Sequence, residues 1–170
     1  MYSCLNKEFT PDFDKALKEN EYIYIVNYFG QITNETVFRF KEKYNRVIID
    51  NVQAFFQKPI KGIDTIYSCR KFFGVPDGAY LSTDSFLREE LETDISMNRM
   101  KHILGRFEED SASRYYEDFK FNDESFENLK LKKMSKLTHN ILGAIDYNSV
   151  KLKREDNFKY LNDSLRKKNR

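Results

Sequence analysis

Asp50, Gln53, Ser68 and Lys71 are the residues whose types and spacing suit chemistry. Asp50 closes a short run of β-branched residues, Val47, Ile48 and Ile49. Gln53 follows three positions on, in the segment that leaves this candidate strand. Ser68 and Lys71 follow the next candidate strand, Thr65 to Tyr67. In open α/β sheets, ligands gather outside the carboxyl ends of the strands. A carboxylate, an amide, a hydroxyl and an amine would therefore converge on one crevice. On these residues alone, a surface ion pair of Asp50 and Lys71, a common and weak arrangement, is the favoured reading. Gly74 and Gly78 bracket the turn back into the sheet. Other chemistries find less support. There is no P-loop and no G-x-G-x-x-G, and Ser68 lacks the G-x-S-x-G elbow of a hydrolase. His102 and His139 have no second ligand at metal spacing. Cys69 has no histidine partner in sequence, which makes an inert buried thiol the default.

The elements that must position these groups alternate along the first half. Pro11 to Asn20 reads as a short helix, capped by Thr10, with Phe13, Ala16 and Leu17 on one face. Tyr22 to Asn27 is a near-continuous run of β-branched and aromatic residues, the pattern of a strand buried on both faces. Gly30 ends it. A helix is expected from Asn34 to Tyr44, then strands at Val47–Asp50, Thr65–Tyr67 and Ala79–Ser82. Strand, helix, strand over so short a span predicts a mostly parallel α/β sheet. The second half reads as helical. Apolar residues recur at spacings of three and four over Met97–Phe107, Met134–Ile145 and Val150–Leu165, and core packing is the expectation for all three stripes. The division is a sheet region over 1–90 and a helical region over 91–170.

Composition narrows the function classes. The 170 residues allow one domain, and 29 Lys plus Arg against 27 Asp plus Glu leave a net charge of +2. That balance argues against a nucleic-acid binder at the level of the whole chain. Fifteen Phe and eleven Tyr argue against disorder, and six Gly with three Pro against a many-turned β-sandwich. No apolar run is long enough to span a bilayer, and Met1 to Glu8 has no apolar h-region. With only Cys4 and Cys69, a reducing cytoplasm is the expected setting. Positions 151–170 carry eight Lys or Arg, read as the solvated face of a terminal helix, with an anionic-surface contact as the weaker alternative.

Asp50 to Ala54 resembles the D-x-A-[QH]-[AS] motif of the DegT/StrS-type sugar aminotransferases, pyridoxal-phosphate enzymes of fold type I. Ser68 to Leu81 resembles their next motif, in which a serine precedes the cofactor-bearing lysine and an acidic residue plus glycine follows. Lys71 with Asp77 and Gly78 keeps that spacing. Val26 to Gln31 resembles the strand and glycine turn upstream. Gly105 to Glu108 and Lys133 to Thr138 look like a polysaccharide-biosynthesis branch of the group. The resemblance implies a partial large-domain sheet followed by helices. It implies that Asp50 pairs with the ring nitrogen of pyridoxal phosphate, Gln53 lies against the ring, Ser68 meets the phosphate and Lys71 is both attachment point and base. It implies transfer of an amino group from an amino-acid donor to a keto group of a nucleotide-linked sugar, in a homodimer. Two departures stand out. The gap from Ser68 to Lys71 is shorter than usual, which brings in Arg70 as an alternative phosphate contact, and Ala79 replaces a second glycine. Family members are also much longer, so the chain corresponds to their central part. The contrasting expectation is a non-catalytic remnant or interaction module that pairs with a separately encoded partner, since a four-stranded sheet has two edges to cover.

Overall fold

The computed structural model describes residues 13, 15–109, 111–127 and 129–166. Four strands form one sheet in the order β1 (Ile23–Val26), β2 (Val47–Asp50), β3 (Asp64–Ser68), β4 (Ala79–Ser82). β1, β2 and β3 are parallel, with Val26 opposite Asp50 and Asp50 opposite Ile66. β4 returns antiparallel, Ser68 opposite Ala79. The short link over 69–78 explains the reversal, because a parallel return needs a longer crossover.

α1 (Asn34–Tyr44) has the bounds its sequence predicts. Thr33 caps it by accepting the Thr36 N–H at 3.2 Å, and Asn45 ends it in the left-handed region at φ 60°. Val37 faces the sheet and joins Ile23, Ile25, Ile32, Val47, Ile49 and Ile63 in one buried cluster. Each such side chain contributes about 1.5–3 kcal/mol on full burial, so this cluster anchors the parallel strands. The opposite sheet face carries Tyr24, Ile48, Ile66 and Leu81, of which Tyr24 and Leu81 are exposed.

The expected helix over 11–20 is a correction. Its residues 11, 12 and 14, with Thr10, lie outside the described residues, while 13 and 15–20 are not helical. Phe13 and Leu17 still pack against the α1 cluster. A turn in which Glu21 N–H bonds Lys18 C=O, and Lys18 N–H bonds the Glu21 carboxylate, takes the place of a helical ladder.

The second half holds α2 (Lys101–Glu109), α3 (Tyr116–Ser125), α4 (Lys136–Gly143) and α5 (Tyr147–Arg166). α3 falls within the half read as helical, although Tyr116, Phe119 and Phe121 do not share one helical face. The α4 stripe reaches the core, where Leu142 joins Cys69, Phe73 and Val75, with Phe55, Met134, Ile141 and Tyr147 packed around them. Core packing fails for the α2 stripe and for the α5 stripe beyond Val150, which itself packs at the edge of this cluster. In α2 the buried residues are His102 and Gly105, while Leu104 and Phe107 are exposed. The Tyr115 ring lies against Gly105, so that a Cβ there would fall 2.2 Å from it and push the ring aside. α5 buries no residue at all; Phe158, Leu161 and Leu165 are 68%, 55% and 49% exposed. Its charges through Arg166 are solvated as expected, with Lys151–Glu155 and Lys159–Asp156 paired within the helix, while Lys167, Lys168 and Arg170 lie outside the described residues. Among the described residues no helix is long and apolar enough to cross a membrane.

Candidate functional site

Asp50 is buried at the carboxyl end of β2. Tyr24 Oη donates to its Oδ2 at 2.6 Å, and the Val52 N–H donates to Oδ1 at 2.9 Å. The register explains the first contact. Tyr24 sits opposite Ile48, one side-chain step before Asp50 on the same face. The second contact is an Asx turn that bends the chain off the strand. The surface ion pair with Lys71 is not formed; the partners of Asp50 are Tyr24 and Val52. Its main chain is also fixed, since the Asn27 N–H bonds the Asp50 C=O at 2.9 Å.

Ser68 lies on the same face as Asp50, two residues beyond Ile66 on β3, a rise of about 6.6 Å along the strand. It lines a cleft of about 590 Å³ with Ile66, Leu81, Phe126, Leu131 and Met134. Lys71 is exposed in the turn after β3, with no hydrogen-bond or ion-pair partner among the described residues. The Phe72 and Phe73 N–H groups bond the Cys69 C=O, and the Cys69 N–H bonds the Gly78 C=O. Gln53 is half-buried, and its Oε1 is buried with no hydrogen-bond partner. Asp50 and Ser68 thus share a face, while Asp50, Gln53 and Lys71 line neither this cleft nor the smaller one beside it. Cys69 is fully buried, and burial, reinforced by Asp77, pushes its thiol up to about 11. At that value it is a packing residue and not a nucleophile at neutral pH.

Asp77 and Gly78, which keep the spacing of an acidic-glycine motif, form a clasp. Buried Asp77 accepts Arg99 Nε at 2.9 Å, Arg99 Nη2 at 2.8 Å and Thr138 Oγ1 at 2.6 Å. Arg99 also pairs with Asp94, and Ser96 Oγ bonds Ser135 Oγ at 2.6 Å. Gly78 has φ 97°, and a Cβ there would meet the Thr138 methyl at 2.8 Å. The turn that carries Lys71 is therefore tied to the start of α4 and to the segment before α2. Spacing alone did not reveal Arg99 or Thr138 as partners of Asp77, nor Tyr24 as the partner of Asp50. The only signal was register, Tyr24 falling two residues short of the position opposite Asp50.

A further set of buried amides lies where β1 and β2 end. Asn27 Nδ2 donates to Asn51 Oδ1 at 3.0 Å and to Gln57 Oε1 at 2.7 Å, while Asn27 Oδ1 accepts the Ile32 N–H at 2.9 Å. These bonds satisfy the polar atoms at the strand ends and fix the loop that follows Asp50.

Comparison with protein-family models, with curated proteins and with solved structures finds no match to this chain.

Proposed function

We propose that this chain carries the lysine and the aspartate of a pyridoxal-phosphate-dependent aminotransferase acting on a nucleotide-linked keto sugar. The observation that carries the reading is the placement of Asp50. It is a buried, doubly hydrogen-bonded carboxylate at the end of a parallel strand, with Ser68 on the same face. Lys71, an amine without a partner among the described residues, follows the neighbouring strand. The residues present fit the cofactor in two respects. Each carboxylate oxygen of Asp50 accepts one hydrogen bond and keeps a lone pair for a further donor. Gln53 Oε1 is an orphaned buried acceptor of the kind that a bound group satisfies.

The bound cofactor would supply the electron sink for moving an amino group. Asp50 would hold a proton at the ring nitrogen, with Tyr24 and Val52 keeping its carboxylate in place. Ser68 would donate its hydroxyl to the phosphate, with Arg70 as the alternative contact. Lys71 would bind the cofactor covalently through Nζ and exchange the transferred proton. Aminotransfer follows from the resemblance of the motifs, and the amino-acid donor and the homodimer rest on that same resemblance.

Mixing the chain with pyridoxal phosphate should produce an absorption band well to the red of protein that is absent in Lys71→Ala. A spectrum that is the same for both proteins would sink the reading.

The exposed face of α5 favours a second reading, an interaction module that pairs with another chain. A native mass equal to one chain across micromolar concentrations would count against it.

A further inference from the structure

A smaller cleft, of about 400 Å³, lies beside the β3–β4 turn and gathers cationic donors without a carboxylate among its lining residues. Arg70, His102, Arg106 and Asn122 supply its polar groups, and Phe73 and Phe119 supply aromatic walls. His102 and Asn122 are only 6% and 7% exposed, so a polar role there needs a partner.

Asn122 Nδ2 donates to the Arg99 C=O at 3.0 Å and lies 3.0 Å from His102 Nδ1. In the tautomer that accepts the Asn122 amide at Nδ1, the ring proton sits on Nε2. Burial holds His102 below its usual pKa, and the neighbouring guanidiniums of Arg106 and Arg70 act in the same direction. The Arg99 carbonyl and Asp118 act the other way, and Asp118 is itself paired with Lys101 at 2.9 Å. Burial therefore favours the neutral ring of His102, which carries a single N–H.

Arg106 is exposed and has no ion pair or hydrogen bond among the described residues. Arg70 pairs with Asp123 at 2.6 Å, but Asp123 stands outside the cleft and is 49% exposed. Phe119 meets the His102 ring edge-on at 5.6 Å. Two planar guanidiniums and one neutral N–H donor are the groups that recognise a phosphoryl oxyanion. The volume suits a small organic ligand, and the phenylalanine walls suit a flat ring.

We propose that this cleft binds an organic phosphate that carries an aromatic ring, with Arg70, Arg106 and His102 on the phosphate and Phe73 and Phe119 against the ring. The site uses none of Asp50, Gln53, Ser68 or Lys71; it shares with the cofactor reading only Arg70, the alternative phosphate contact there, and is told apart from it by Arg106 and His102.

The test is calorimetric titration of the full chain with phenyl phosphate and, separately, with inorganic phosphate, followed by nuclear magnetic resonance of the His102 ring. Phenyl phosphate should bind saturably, tighter than inorganic phosphate, and shift the His102 ring signals. Arg106→Gln, which breaks no ion pair or hydrogen bond among the described residues, should weaken binding about tenfold or more. Arg70→Gln should weaken it in the same direction, and Lys71→Ala should leave it unchanged. Equal binding by the two probes would overturn the aromatic half of the proposal. No saturable binding, unchanged binding by Arg106→Gln, or loss of binding in Lys71→Ala would overturn the whole.

Discussion

In α4, Leu142 is 1% exposed and sits among Cys69, Phe73 and Val75. In α5, only a few residues further along, Phe158 is 68% exposed and no side chain is buried. Both helices show apolar residues at spacings of three and four, and both begin with a side-chain cap. Ser135 accepts the Thr138 N–H at 3.1 Å, and Asp146 accepts the Asn148 and Ser149 N–H groups at 3.1 Å each. The difference lies in what each helix faces. α4 is held against the β3–β4 turn by the Thr138–Asp77 bond. α5 touches the body through Tyr147, Val150 and Arg154 at its start, Arg154 reaching the Phe72 carbonyl at 3.2 Å. An amphipathic pattern therefore states that a face seeks a partner, while the partner itself has to be supplied by the fold or from outside it.

The sharpest way to break this comparison is to remove the clasp. Arg99→Met leaves Asp77 and Asp94 without their cation. The loss should be about 3–5 kcal/mol, read from urea denaturation. A variant within about 1 kcal/mol of wild type would show that the clasp does not join the two regions.

Next in size is a paired substitution. Leu142→Ala should cost about 2–5 kcal/mol. Phe158→Ser should stay within about 0.5 kcal/mol of wild type, as an exposed position does. Similar costs for the two would mean that α5 is covered in solution.

Gly78→Ala should cost about 1–3 kcal/mol through its positive φ, with the Thr138 methyl crowding the new Cβ at 2.8 Å. If thermal and urea midpoints match wild type, the close packing of the turn against α4 is wrong.

The smallest expected effect concerns pH. His102 titrates below its usual 6.5 in the folded chain, because burial and Arg106 oppose its charge. The unfolded state then binds more protons than the native state just below pH 6.5. Stability from this residue is complete above that value and is lost as pH falls from it toward the lowered folded value. His102→Asn should remove this slope from a plot of unfolding free energy against pH. A slope that persists unchanged in the variant assigns it to another group.

Local chemistry carried a good part of the fold. α1, β2 and β4 have the bounds expected from the sequence, because each is bracketed by its own stop signals: Thr33 and Asn45 for α1, Asp50 for β2, Gly78 for β4. The helix over 11–20 failed in its described part because Leu17 and Phe13 satisfy their burial without helical hydrogen bonds. The candidate residues were legible as types and in order along the strands. Their environments were not, since a carboxylate at a strand end reads alike whether a tyrosine or a lysine faces it.

The sequence by itself determined the mostly parallel sheet, the helical second half and the position of Asp50, Ser68 and Lys71 at strand ends. Those features follow from periodicity, caps and β-branched runs, which act over a few residues. Only the tertiary structure decided that Tyr24 holds Asp50, that Arg99 and Thr138 lock Asp77, that Arg70 and His102 share a cleft, and that α5 beyond its first turns is left exposed. These pairs span 22 to 61 positions in the chain. A burial pattern says which residues want a neighbour, and strand register and helix docking choose which neighbour each one meets.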